Sequence, residues 1–376
     1  MPVSSVLIDM RPVRTPISGV AQYCLRLVAA LAQESDIRLS ALYYGNHETN
    51  TALAQQKALT LPAGSFAAPK ILNSVLEFAP ILSSLVMASG FDLVHETFFA
   101  NVAAPGRTRK VSTIHDVIPL EHPEYVNSRN RFFSRKNFAR QCHDPDRIIA
   151  VSAYTKSKIV ELGRVDPDRI TVIPCGVTPM SMAVAPDDYL KQAGLAGRRY
   201  VLCVGNVEPR KNLGLVVEAL AGLGASFDDV QMVVAGHKNY LADEILADAR
   251  ARLGARFHYL GHVSEAKKWT LLKNANAFVF PSHYEGFGIP VVEAYQAGCP
   301  VLLANNSSLT ELAVDPRQLF ASLSAVELKD RIAEVLDGAS WVARSVAVGT
   351  AFLDRFRWER VAQDTADVYR AVLGRC

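Results

Sequence analysis

Two glutamates eight residues apart enclose a glycine-rich turn in P-S-H-Y-E-G-F-G-I-P-V-V-E (281–293), at Glu285 and Glu293. The apolar run A-F-V-F-P (277–281) reads as a buried strand. A helix is expected near Ile289, with Pro290 in its first turn, where a missing N–H is harmless. Gly286 and Gly288 let the backbone approach a ligand closely. The helix start offers unpaired N–H groups and the positive end of a dipole, which suits a diphosphate. Helical side chains lean toward the N-terminus, so Glu293 can reach the same place from one turn inside. One carboxylate on each side of an anion site could accept hydrogen bonds from sugar and ribose hydroxyls. Taken singly, Glu293 reads better as a surface glutamate at the favoured end of a helix dipole.

Three more segments carry candidate chemistry. In V-G-N-V-E-P-R-K-N (204–212) a strand ends and two adjacent cations, Arg210 and Lys211, precede a helix. Such a pair would neutralise a departing diphosphate; alone, it would read as an exposed basic turn. In T-I-H-D-V-I-P (113–119), His115 and Asp116 end an apolar strand, where open α/β sheets place ligands. The bland alternative is a hydrogen-bonded structural pair. In D-M-R-P-V-R-T-P-I-S-G-V-A-Q-Y (9–23) a strand gives way to a loop and then to a helix opened near Gly19. D-P-D-R-I occurs at 144–148 and 166–170. A D-x-D pair can hold a divalent cation, but Asp-Pro leading into a strand is an ordinary turn, and no metal is expected at either.

E-G-F-G-I-P-V-V-E resembles the signature of retaining glycosyltransferase family 4, which has the GT-B fold. The resemblance covers the whole chain and is most specific near Glu285. It implies that Glu285 contacts the donor sugar and Glu293 the ribose hydroxyls. Backbone amides from Gly286 through Phe287 and Gly288 to Ile289 would then meet sugar and diphosphate. It implies Arg210 and Lys211 as the diphosphate pair, His115 beside the reacting sugar, and Gly19 near the donor phosphate. V-V-A-G-H (233–237) and Y-L-G-H-V-S (259–264) resemble loops lining a nucleobase pocket, with Val263 as a backbone contact. His115, Arg210, Lys211 and Glu285 are the expected catalytic set. The chain departs from the family at Ser18-Gly19, where many members have paired glycines, and at Cys175, where many have Asn. The N-terminal motifs further resemble bacterial mannosyltransferases of polysaccharide assembly. That implies GDP-mannose as donor, no cofactor, and a glycan or lipid-linked glycan as acceptor. UDP-glucose and other nucleotide sugars stay open. So do a nucleotide-sugar 2-epimerase and a non-catalytic nucleotide-sugar-binding subunit on the same fold.

These residues need a scaffold, and the chain alternates strand and helix signals from end to end. Near-continuous apolar strands between helices indicate parallel sheets covered on both faces. A length of 376 residues implies more than one core. The fold class is therefore α/β: two Rossmann-like, doubly wound domains facing a cleft. The rhythm breaks between Pro174 and Arg199, the expected connection. It divides an acceptor-side domain, 1–175, from a donor-binding domain, 176–356, with a C-terminal helix near 357–376 packing back on the first. Val20, Tyr23, Leu27 and Leu31 predict one buried stripe on the first helix.

The net charge of +3 gives no argument for nucleic acid. Cysteines at 24, 142, 175, 203, 299 and 376 include no C-x-x-C pair and suit buried thiols in a reducing cytoplasm. No signal peptide is expected at the start. The apolar stretch 71–90 is broken by Asn73, Glu77 and Pro80, which favours a buried or interfacial helix over a span. In 128–140, Arg129, Arg131, Arg135, Lys136 and Arg140 interleave with Phe132, Phe133 and Phe138. That segment fits equally a helix on an anionic inner-leaflet surface and a solvated helix with its phenylalanines in the core.

Overall fold

A computed structural model describes residues 3–13, 18–44, 49, 66–68, 90–98, 102, 106–126, 128–179 and 188–374. The chain divides into two compact units, Met1–Gly176 with Phe356–Cys376, and Val177–Arg355. The chain thus crosses between units at Gly176 and again at Phe356.

The first unit holds β1 (Ser4–Asp9), β2 (Ile37–Tyr44), β3 (Phe66–Ala68), β4 (Leu93–Glu96), β5 (Arg109–Ile114), β6 (Arg147–Ala150) and β7 (Ile170–Val172). They form one parallel sheet in the order β3-β2-β1-β4-β5-β6-β7. The second unit holds β8 (Tyr200–Val204), β9 (Gln231–Ala235), β10 (Phe257–Tyr259), β11 (Ala277–Phe280), β12 (Val301–Ala304) and β13 (Leu319–Phe320). Its parallel order is β10-β9-β8-β11-β12-β13. Both sheets therefore reverse winding once, between β1 and β4 and between β8 and β11. Such a reversal leaves a crevice at the strands' C-terminal ends, the ligand position of open α/β sheets. Complete burial of β9, β11 and β12 explains their uninterrupted apolar sequences.

Helix Gly19–Leu31 buries more than a stripe: Ala21, Tyr23, Cys24, Leu25, Leu27, Val28 and Leu31 are all covered, while Val20 is only half-buried. The reason is a second neighbour, helix Trp358–Val372, which packs beside it. That C-terminal helix is fastened to the first unit by polar contacts as well. Tyr369 lies 2.6 Å from His95 Nδ1, and His95 Nε2 lies 2.8 Å from the Thr113 hydroxyl. Arg370 pairs with Asp36 and Glu34 at 2.8 and 3.0 Å.

Both D-P-D-R-I segments are turns. Asp146 binds Arg109 and the Lys110 amide, and Asp166 accepts from the Asp168 amide. Among the described residues, no cluster of His, Cys, Asp and Glu could hold a metal ion. Cys24, Cys142, Cys175, Cys203 and Cys299 are free, buried thiols. Among the described residues no helix is long and apolar enough to cross a membrane. The segment 71–89 lies outside the described residues. Residues 128–140 fall in helix Ser128–His143, where Phe138 is buried while Arg135 and Lys136 are exposed. The side chains of 128–133 lie outside the description.

Candidate functional site

In the second unit, the two strands flanking the reversal, β8 and β11, lead directly into the two strongest motifs. After β8 the chain turns through Gly205 at φ 144° and forms a tight helical turn, Pro209–Lys211. Asn212 then takes a left-handed conformation at φ 51° and starts helix Leu213–Ala221. Gly236, at the end of β9, packs so closely on Gly205 that an added Cβ would lie on its carbonyl oxygen. Only glycine fits there.

This turn presents Arg210 and Lys211 to the loop after β11. Lys211 Nζ donates to Glu285 Oε1 at 2.5 Å and lies 4.8 Å from the centroid of the Phe280 ring. Arg210 Nη1 donates to the Tyr284 carbonyl at 2.8 Å and sits 2.9 Å from the same Glu285 oxygen. The Lys211 and Glu285 side chains are each 13% exposed. Burial alone would raise the Glu285 carboxyl, but Lys211 and Arg210 overcome it and hold the group at about 2. Burial, together with repulsion from Arg210, pulls Lys211 below the ordinary lysine range despite Glu285. Glu285 thus meets the two cations directly, a pairing that the two motifs, taken separately, did not indicate.

The loop's shape comes from a neighbour the sequence did not flag. The hydroxyl of Ser307 accepts from the Glu285 amide at 3.1 Å. The Ser308 hydroxyl lies 2.9 and 2.8 Å from the carbonyls of Glu285 and Phe287 and shares its single proton between them. Gly288 then turns at φ 119°, and an added Cβ there would meet Leu312 at 3.0 Å. Its glycine is required by backbone conformation and packing. Gly286, Phe287 and Gly288 are buried, and Ile289 opens helix Ile289–Gln296 with Pro290 beside it. Glu293 lies one turn in and is buried.

Two partners of the site were missed in the sequence. Glu208 Oε1 accepts from Arg210 Nε and Nη2 at 3.1 and 2.6 Å, and Glu208 Oε2 accepts from Asn239 at 2.7 Å. Lys268 donates to Glu293 at 2.6 Å. Glu208 adjoins the basic pair, which was a usable hint; Lys268 sits in an ordinary charged helix, Glu265–Asn274, and offered none. Val263 is half-buried in the turn before that helix. His237 and His262, from the two expected base-lining loops, stack at 4.2 Å with rings 9° apart.

In the first unit, His115 follows β5 and Gly19 opens helix Gly19–Leu31. His115 Nε2 lies 3.0 Å from the Thr97 carbonyl. A carbonyl only accepts, so Nε2 carries the proton and Nδ1 the lone pair. The ring meets Tyr23 edge-on at 4.7 Å, and burial lowers its pKa to about 4. It is a neutral imidazole at pH 7. Asp116 accepts from the Ile118 amide and shapes the turn after it. Ser18 caps the helix by accepting from Ala21, and Gly19 is exposed, with nothing among the described residues within 4 Å of where a Cβ would sit.

The chain is similar to known glycosyltransferases. The model for "Glycosyl transferases group 1" matches residues 187–344, and that for "Glycosyltransferase Family 4" matches 17–180. Over 97% of its length the chain is 25% identical to the O-antigen chain mannosyltransferase B of Escherichia coli, of which it covers 99%. It is 32% identical to a phosphatidyl-myo-inositol mannosyltransferase of Mycobacterium tuberculosis over 54% of each chain. Among solved structures, Anabaena HepE in complex with UDP-glucose superposes with a TM-score of 0.76 at 20% identity, covering 98% of this chain and 99% of its own.

Proposed function

We propose that this chain, which belongs to the family 4 glycosyltransferases and has the GT-B fold, moves a mannosyl group from GDP-mannose with retention of configuration. The acceptor would be a glycan or lipid-linked glycan in polysaccharide or lipopolysaccharide assembly. One observation carries the donor site: Arg210, Lys211 and Glu285 meet within hydrogen-bond distance where the second sheet reverses winding. The mannosyl reading is supported by the full-length likeness to the O-antigen chain mannosyltransferase.

In this reading the diphosphate lies against Arg210 and Lys211, with the amides at the start of helix Ile289–Gln296 adding dipole stabilisation. The bond from the anomeric carbon to the phosphate oxygen breaks. The acceptor oxygen forms its bond on the same face and gives its proton to that departing oxygen. The protein's part is positioning and charge stabilisation. Glu285 receives hydroxyl hydrogen bonds from the sugar, Glu293 those from ribose, and Val263 offers its backbone to the base. His115 is neutral at pH 7, so it suits holding a hydroxyl through Nδ1 rather than carrying the proton. Gly19 would lie near the donor phosphate, as the resemblance implies. The site needs no resident cofactor in this scheme. The exposed cations of helix Ser128–His143, Arg135 and Lys136, would favour work at an anionic membrane surface, which binding to anionic vesicles tests.

The deciding experiment offers the protein GDP-mannose and UDP-glucose with a mannan-type acceptor and reads the product's anomeric configuration by NMR. Transfer from GDP-mannose with an α linkage from the α donor supports the proposal. A β product would contradict retention, and transfer from UDP-glucose alone would replace the donor.

A further inference from the structure

Glu293 has a partner that the donor motif does not contain. Lys268, on helix Glu265–Asn274, donates to Glu293 Oε1 at 2.6 Å and lies 3.0 Å from Glu265 Oε2. The pair is inside: the Lys268 and Glu293 side chains are 13% and 12% exposed, whereas Glu265 is 65% exposed. A lysine with a free choice between an exposed and a buried carboxylate gains little by burying itself. Here it binds the exposed Glu265 and the buried Glu293 together, with its ammonium 5.6 Å from the Trp269 ring centroid.

The consequence is chemical. Burial pushes the Glu293 carboxyl above its ordinary range, and Lys268 works against that push. Without a cation, a buried carboxyl tends to keep its proton. A protonated Glu293 would lose the charge-assisted acceptance that distinguishes a carboxylate facing two vicinal hydroxyls. Lys268 also takes one oxygen, Oε1, which restricts how the carboxylate can turn.

We propose that Lys268 is a positioning residue of the nucleotide site, holding Glu293 as an oriented carboxylate that reads the ribose diol. This rests on the reading of Glu293 as the ribose contact. Lys268 acts through Glu293 and would contribute to sugar-ring selectivity in the nucleotide.

The test compares GDP with 2′,3′-dideoxy-GDP by calorimetric titration into wild-type protein, K268M and E293Q. Wild-type protein should prefer GDP by roughly tenfold to a hundredfold, the range of hydrogen bonds to a charged group. K268M should bring the two affinities within about threefold, as E293Q does, while binding of the dideoxy nucleotide changes little. If K268M fails to fold, K268Q serves under the same criterion. Equal weakening of both ligands in K268M would overturn the proposal, because it would mean a base, phosphate or purely structural role. Retention of the full diol preference would also overturn it. Wild-type protein that binds GDP without any diol preference would refute the ribose role of Glu293 itself, a separate outcome.

Discussion

Lys211→Ala separates the site's chemistry from its architecture. The substitution removes an ammonium 2.5 Å from Glu285 and clears the face of Phe280. Breaking a buried ion pair outright costs about 3–5 kcal/mol because the surviving charge is stranded. Glu285 is not stranded here, since Arg210 stays 2.9 Å away. A loss of about 1–2 kcal/mol is therefore expected, or a few degrees in Tm for a unit of this size. Catalysis should suffer more. A preorganised charge facing a leaving group is worth about 2.7–4 kcal/mol, or about a hundredfold to a thousandfold in kcat. Turnover of the nucleotide sugar, followed by release of nucleoside diphosphate, measures this, and circular dichroism with a melting curve checks the fold. Turnover within about threefold of wild type in a folded variant would refute the role of Lys211. A complete loss of folding would refute the estimate that Arg210 suffices for Glu285.

Glu285→Gln removes the internal anion that occupies both cations, so nucleoside diphosphate should bind more tightly by about tenfold while kcat falls; calorimetry and kinetics on one variant read both, and weaker binding would contradict the competition. Activity should survive EDTA in full, whereas a loss restored by Mg²⁺ would point to a bound cation. Burial holds His95 at about 3 and His115 at about 4, below the ordinary 6.5. The unfolded chain takes those protons first, so both histidines favour the folded state above pH 6.5 and oppose it increasingly as pH falls toward 4. Melting temperature should drop across that window, and His95→Gln should flatten the drop at some expense of stability at pH 7. Gly288→Ala should lower the melting temperature and raise KM for the donor, because φ 119° is strained for alanine and its Cβ meets Leu312 at 3.0 Å.

The α/β alternation was legible because fully buried parallel strands leave unbroken apolar runs, as in Ala277–Phe280 and Val301–Ala304. The helix at Ile289 was legible from Gly288 and Pro290, whose backbone demands are local. Long-range partners left no such trace. Ser307 and Ser308 reach Glu285 across more than 20 residues, in a stretch that reads as an ordinary polar turn. Lys268 reaches Glu293 across 25 residues from a helix whose charges look solvated. Local motifs therefore pointed to candidate groups, while the groups that hydrogen-bond to them appear only when separate loops fold together. The wide burial of helix Gly19–Leu31 has the same origin, since its second neighbour comes from the far end of the chain.

Calorimetric titration of GDP-mannose and GDP into wild-type protein and an Arg210→Ala, Lys211→Ala double variant tests the donor site most directly. The account predicts saturable one-to-one binding of both ligands to wild-type protein, weakened at least a hundredfold in a folded double variant. If wild-type protein bound no nucleotide sugar or nucleoside diphosphate, or if the folded double variant bound them equally well, the donor site placed at Arg210, Lys211 and Glu285 would be contradicted.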